Sequence, residues 1–281
     1  MFKQLDDLPR ALVFYGLAFG LALVVAITGG STALYMLTPL VAVVLMMLVV
    51  TRDGYSRAGW ARLGLHRPGV RAWPAAVLVP LAVMTFAYGT LWATGALEFR
   101  TVAEINGQRL PLALAPLEAL ATILIASLTL SLGEELGWRG YLLPHLATLG
   151  TRRAAVLSGL LHACWHLPLI LLTTLYHADG NRLIVLPLFV ATVTVAGMFF
   201  GYLRLSTNSV WPASLAHSVH NELMNLFPAF AVFASPLANE YFAGDSGLLV
   251  AIGYATLGGW LLYRLGRKAS ARRLQVAAEV A

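Results

Sequence analysis

The chain has 281 residues, a formal net charge of +6 and only 11% charged residues. A soluble domain usually carries about 25% charged residues, and the mean hydropathy here is +0.75, so the composition excludes a soluble globular domain and a disordered chain. The single cysteine, Cys164, excludes an intrachain disulfide and reads by default as a small buried hydrophobe.

Eight apolar stretches follow in chain order, at 11–29, 32–50, 73–97, 117–136, 154–176, 183–203, 210–227 and 247–263. Each is near the ~20 residues that cross a ~30 Å hydrocarbon core. The first is too long for a signal peptide and reads as a mature helix. The basic segment 52–71, with Trp60 and Trp73, reads as an interfacial loop touching headgroups. The loop at 98–116 is expected to hold a short interfacial helix. The fourth stretch is the least clean, because Glu118 and the pair Glu134–Glu135 crowd its ends. The Met46–Met47 pair reads as lipid-facing or packing, and His145 and His177 as interfacial.

With the N-terminus in the cytoplasm, eight spans put sixteen of the nineteen lysines and arginines inside. Only Arg100, Arg109 and Arg182 fall outside, as the positive-inside rule requires. The positive charge is therefore a topology signal. It is not a nucleic-acid footprint, since no basic stripe is interleaved with exposed aromatics. The predicted fold is an all-α integral membrane protein: an eight-transmembrane-helix bundle with cytoplasmic N- and C-termini, one polytopic domain over 1–281.

Ionisable side chains inside a bilayer cost ~2.5–3.5 kcal/mol or more at its centre and mark cavities or function. Three stretches carry them. They are "EELGWR" (Glu134, Glu135, Arg139), "HACWH" (His162, His166) and "HSVHNE" (His217, His220, Asn221, Glu222). At ~1.5 Å per residue, His166 lies ~20 Å, His217 ~12–20 Å and Glu134 ~8–22 Å from the cytoplasmic side, one overlapping level. Glu135 and Arg139 are i,i+4 with the acid first, the favourable order for a helix ion pair. Glu134 is rotated ~100° away and is free to point into the bundle. A carboxylate beside imidazoles in a dry pocket is a candidate general base for water. Two histidines could bind a metal, and an asparagine amide could serve an oxyanion. The blander readings are an ordinary interfacial salt bridge for Glu135–Arg139, a snorkelling Glu134 and packed histidines.

At these residues the sequence resembles the CPBP family: type II CAAX prenyl endopeptidases and their bacterial bacteriocin-processing, immunity and Abi-like relatives. The family's E-E-x-x-x-R is matched by Glu134 to Arg139, and its H-x-x-x-N by His217 to Asn221. Its F-x-x-x-H is matched only at His166, since His162 stands where the family has phenylalanine; packing is the preferred role for His162. His220 and Glu222 are unexplained by the motifs. The resemblance spans 115–227. It implies that Glu134 activates water, that His166, His217 and Asn221 complete the site, and that Glu135 and Arg139 support it. It also implies a cavity open to the cytoplasm and leaves the metal undecided. Zinc chemistry needs three ligands, which Glu134, His166 and His217 could supply, and a metal-free glutamate–water mechanism is equally open. The expected substrate is a membrane peptide or lipopeptide, in the cytoplasmic membrane of a bacterium. Seventeen arginines to two lysines fit a GC-rich genome. The rivals are a non-catalytic immunity or scaffold protein and a proton or metal transporter. Other intramembrane hydrolases fit poorly, as H-E-x-x-H, G-x-S-G and an in-span G-x-G-D are all missing.

Overall fold

The structure is a computed structural model that describes residues 5–105, 108–174 and 180–280. Lys3 and His177, which entered the charge count and the interfacial reading, lie outside the described residues, as does the end of the fifth predicted span.

Eight helical segments of 19 residues or more follow one another among the described residues. We label them α1 (Asp7–Ile27), α2 (Thr32–Val50), α3 (Val70–Ala93), α4 (Leu112–Leu149), α5 (Thr151–Leu172), α6 (Arg182–Thr207), α7 (Trp211–Ala229) and α8 (Leu248–Val280). Among the described residues seven helices are long and apolar enough to cross a membrane, the last of them running over Asn239–Arg264. The segment outside that set is α7, which has the length but carries His217, His220, Asn221 and Glu222. Local signals set the ends. Gly29 takes φ 70° after α1, the conformation glycine adopts without a Cβ penalty. Ser31 then caps α2 by accepting from the Leu34 amide at 3.3 Å. Asn208 ends α6 in the left-handed region at φ 54°.

Contacts between loops sort the molecule into two ends. At one end Arg10 pairs with Asp53 at 2.8 Å, and Arg152 donates to the Tyr263 carbonyl at 3.3 Å. The first turn of α1 and the entry to α5 meet there, with the later part of α8. The opposite end carries two antiparallel strand pairs, β1 (Leu97–Phe99) with β4 (Ala231–Phe233), and β2 (Val102–Ile105) with β3 (Gln108–Pro111). The expected interfacial helix at 98–116 is therefore replaced by a strand pair. The sequence signal was Asn106–Gly107, the commonest hairpin-turn dipeptide, which itself lies outside the described residues.

The fourth span departs most from expectation, running through 38 residues rather than stopping near 136. It is broken at Thr129 (φ −128°, ψ −101°). It continues as an α-turn to Glu135, opens into a π-helical stretch over Leu136–Leu142, and resumes over Leu143–Leu146 with Pro144 in the first turn. Proline cannot donate to the preceding turn, and the Arg139 carbonyl in that turn accepts from Arg204 Nε at 3.1 Å. Widened turns of this kind concentrate at functional sites. Two apolar clusters flank the segment, one around Phe14, Tyr35, Trp138 and Trp165 and the other around Met84, Phe199, Phe200 and Tyr254. Met46 and Met47 are buried in the first cluster, so they pack and do not face lipid.

Candidate active site

The polar groups lie between those two clusters. The π-helical stretch leaves backbone carbonyls that side chains satisfy: Ser158 donates to the Trp138 carbonyl at 3.0 Å and Arg204 to the Arg139 carbonyl at 3.1 Å. Helices α5 and α6 cross on Gly159 and Gly197. A Cβ on Gly197 would stand 2.6 Å from the Gly159 Cα and 2.8 Å from the Arg139 Nη2. The glycine pair therefore permits the close crossing and leaves room for the guanidinium.

Glu135 and Arg139 form the i,i+4 pair expected, at 2.7 Å, with both side chains 0% exposed. It is a buried pair rather than an interfacial one. The same Glu135 Oε1 lies 2.9 Å from His217 Nδ1. A carboxylate oxygen that accepts from arginine also accepts here, so His217 donates from Nδ1. Phe200 stacks on the His217 ring at 5.5 Å and 17°, and the Arg139 Cζ sits 5.2 Å from the Phe200 centroid.

Glu134, one residue earlier, faces a different way. It is 1% exposed and lines a cavity of about 280 Å³ together with His162, His166, His217 and Asn221. Glu134 Oε2 lies 3.1 Å from His162 Nε2. His162 is 3% exposed and stacked on Trp138 at 5.1 Å and 26°. The packing role preferred for His162 is thus incomplete, because the ring holds the glutamate. Its i,i+4 relation to His166 and its departure from the family phenylalanine were the available signals. The rings of His162 and His166 are 5.2 Å apart, and those of His162 and His217 5.8 Å.

One group of potential metal-binding atoms converges among the described residues. Glu134, His162 and His166 each offer an atom, all within 4.8 Å of one another. His162 stands in that trio where the sequence reading had His217. The Arg139 Nη1 is 3.4 Å from His162 Nδ1. A guanidinium can only donate, so Nδ1 accepts and the ring proton belongs on Nε2, toward Glu134. Zinc needs that same Nε2 lone pair. The second nitrogen of a zinc-bound histidine also normally donates to an acceptor, whereas here it faces a cationic donor. The converging trio does not fit a zinc site as arranged.

His220 sits on the same cavity wall, with Nδ1 3.0 Å from the Tyr254 hydroxyl and Nε2 3.6 Å from Asp245 Oδ1. Glu222 is buried on α7 at 5% exposure. His145 lies 3.9 Å from Asp7 at the termini-bearing end, in keeping with an interfacial place. The cavity is graded. Glu134, His162 and Phe200 are buried at its base, while Thr32 and Asn225 are exposed at its rim. Both rim residues stand at the end of the bundle that holds the strand pairs, away from the first turn of α1. The rim is not at the end where the resemblance places it if the termini are cytoplasmic.

The family model described as type II CAAX prenyl endopeptidase Rce1-like matches residues 116–223, the stretch that contains all three motifs. No curated protein matches the chain.

Proposed function

We propose that this chain, built around an Rce1-like domain, is an intramembrane endopeptidase that cleaves a membrane-associated or lipid-modified peptide with a glutamate-activated water. The observation that carries the reading is the buried Glu134 carboxylate on the cavity wall, held by His162 and beside His166, His217 and Asn221. In the proposed step the Glu134 carboxylate removes a proton from water, and the water oxygen attacks the scissile carbonyl carbon. The tetrahedral oxyanion is met by donors on the wall, with the Asn221 amide assigned that role. Collapse breaks the C–N bond, and the proton held on Glu134 passes to the leaving nitrogen, regenerating the carboxylate. General-base assistance of this kind is worth roughly 10²–10⁴-fold. Glu135 and Arg139 fix the His217 ring on the cavity wall beside Glu134.

The same proposal takes the chain to sit in a bacterial cytoplasmic membrane, with both termini inside as the positive-inside rule expects from its lysines and arginines. In that orientation the exposed rim at Thr32 and Asn225 receives its peptide from the outer side. The test is substrate trapping. Glu134→Gln protein expressed in the native host is crosslinked, and captured peptides are identified by mass spectrometry and offered to wild-type protein in vesicles. Cleavage by the wild type alone supports the reading. Ion flux in vesicles without peptidolysis replaces it with transport. Partner binding that survives loss of both Glu134 and His166 replaces it with a scaffold.

A further inference from the structure

We infer that His162 is a positioning residue, and that Arg139 makes it one by fixing which ring nitrogen carries the proton. The Arg139 Nη1 has two hydrogens. One goes to Glu135 Oε1 at 2.7 Å, and the other faces His162 Nδ1 at 3.4 Å. With Nδ1 accepting, the proton resides on Nε2 and is donated to Glu134 Oε2 across 3.1 Å. Glu135, Arg139, His162 and Glu134 thus form one hydrogen-bonded line joining two adjacent glutamates that point in different directions. The line continues from Glu135 to His217 at 2.9 Å.

The ring cannot easily leave this arrangement. It is 3% exposed, stacked on Trp138 and set 6.0 Å from the Trp165 ring. The consequence is orientation of the base. Glu134 Oε2 is met by a directed donor, which fixes the rotation of the carboxylate on the cavity wall. A phenylalanine at this position supplies no donor, so the device belongs to this chain's own residue. The same polarity disqualifies His162 as a zinc ligand, although Glu134, His162 and His166 converge within 4.8 Å.

The kinetic consequence rests on the endopeptidase reading, but the proton placement does not. The first experiment is therefore spectroscopic. Protein with ¹⁵N-labelled histidine is examined in lipid bilayers at neutral pH, and the His162 signals are assigned by their loss in His162→Gln. A protonated Nε2 with a bare Nδ1 is expected, and the opposite tautomer overturns the inference. The second experiment compares His162→Phe with His162→Gln. Glutamine preserves the polarity, with its carbonyl accepting from Arg139 and its amide donating to Glu134. Misplacing a catalytic group by about 1 Å costs on the order of 10²-fold. His162→Phe is therefore expected to lower kcat by ~10–100-fold with little change in KM, and His162→Gln to recover most of that loss. Equal rates for His162→Phe and wild type overturn the inference, as does stoichiometric zinc in the wild type that disappears in His162→Gln. If His162→Phe fails to fold, the glutamine variant and the ¹⁵N spectrum still decide. Absence of any peptidolysis in the wild type sinks the functional reading alone and leaves the spectrum to judge the tautomer.

Discussion

Replacing Arg139 with methionine keeps much of the side-chain volume and removes the charge. Glu135 would then lie at 0% exposure with its arginine gone and only the His217 Nδ1–H left to its Oε1. Breaking a buried pair from one side costs about 3–5 kcal/mol, because the surviving charge is stranded. At about 2–4 °C per kcal/mol for a chain of this size, that is a loss of about 6–20 °C in Tm. Glu135→Leu strands the arginine and should cost a similar amount. The double variant strands neither charge; it leaves the His217 N–H without its acceptor and His162 Nδ1 without its donor, each at a cost of about 1–3 kcal/mol. The three variants and wild type form a double-mutant cycle, read by reversible unfolding in mixed micelles with tryptophan fluorescence. A double variant more stable than either single is expected. If Arg139→Met costs under ~1 kcal/mol, as for an exposed pair, or if the two singles simply add, the assignment of a buried, mutually compensating pair is refuted.

Two further predictions concern shape and access. Gly197→Ala would press a Cβ against the Gly159 Cα and the Arg139 Nη2; we expect about 1–3 kcal/mol of destabilisation together with a fall in kcat, and a fully stable, fully active variant contradicts the close crossing. Thr32→Cys and Ser56→Cys, each in a Cys164→Ala background, should separate under a membrane-impermeant maleimide, since both positions are exposed, Thr32 opening α2 and Ser56 lying in the loop that follows its other end. Thr32→Cys should label in intact cells and Ser56→Cys only after lysis, and the reverse pattern would invert the proposed topology and the side from which substrate enters.

The polar motifs were legible in the sequence because a carboxylate or imidazole in an apolar run is conspicuous whatever the tertiary fold. The Glu135–Arg139 pair was legible too, since i,i+4 contacts are set within one helix. Which imidazole meets which carboxylate was not. That depends on the rotation of α4 against α5 and α7, and the break at Thr129, ahead of both glutamates, interrupts the helical phase that a spacing rule assumes. His162 therefore read as packing, although its Nε2 lies 3.1 Å from Glu134. His217 read as a ligand beside Glu134, although its Nδ1 is spent on Glu135. The strand pair at 102–111 is hard to read because the apolar bias of the whole chain obscures short alternating patterns. The polarity of α7 had the opposite effect, since the residues that identify the site also keep that helix outside the apolar set.

The proposed catalysis depends most directly on one carboxylate, that of Glu134. Wild-type protein and Glu134→Gln, matched in fold by tryptophan fluorescence and thermal unfolding, should be reconstituted in vesicles with a trapped peptide and cleavage followed by mass spectrometry. A loss of at least ~10²-fold in kcat for Glu134→Gln is predicted. Equal turnover by the two proteins would contradict it.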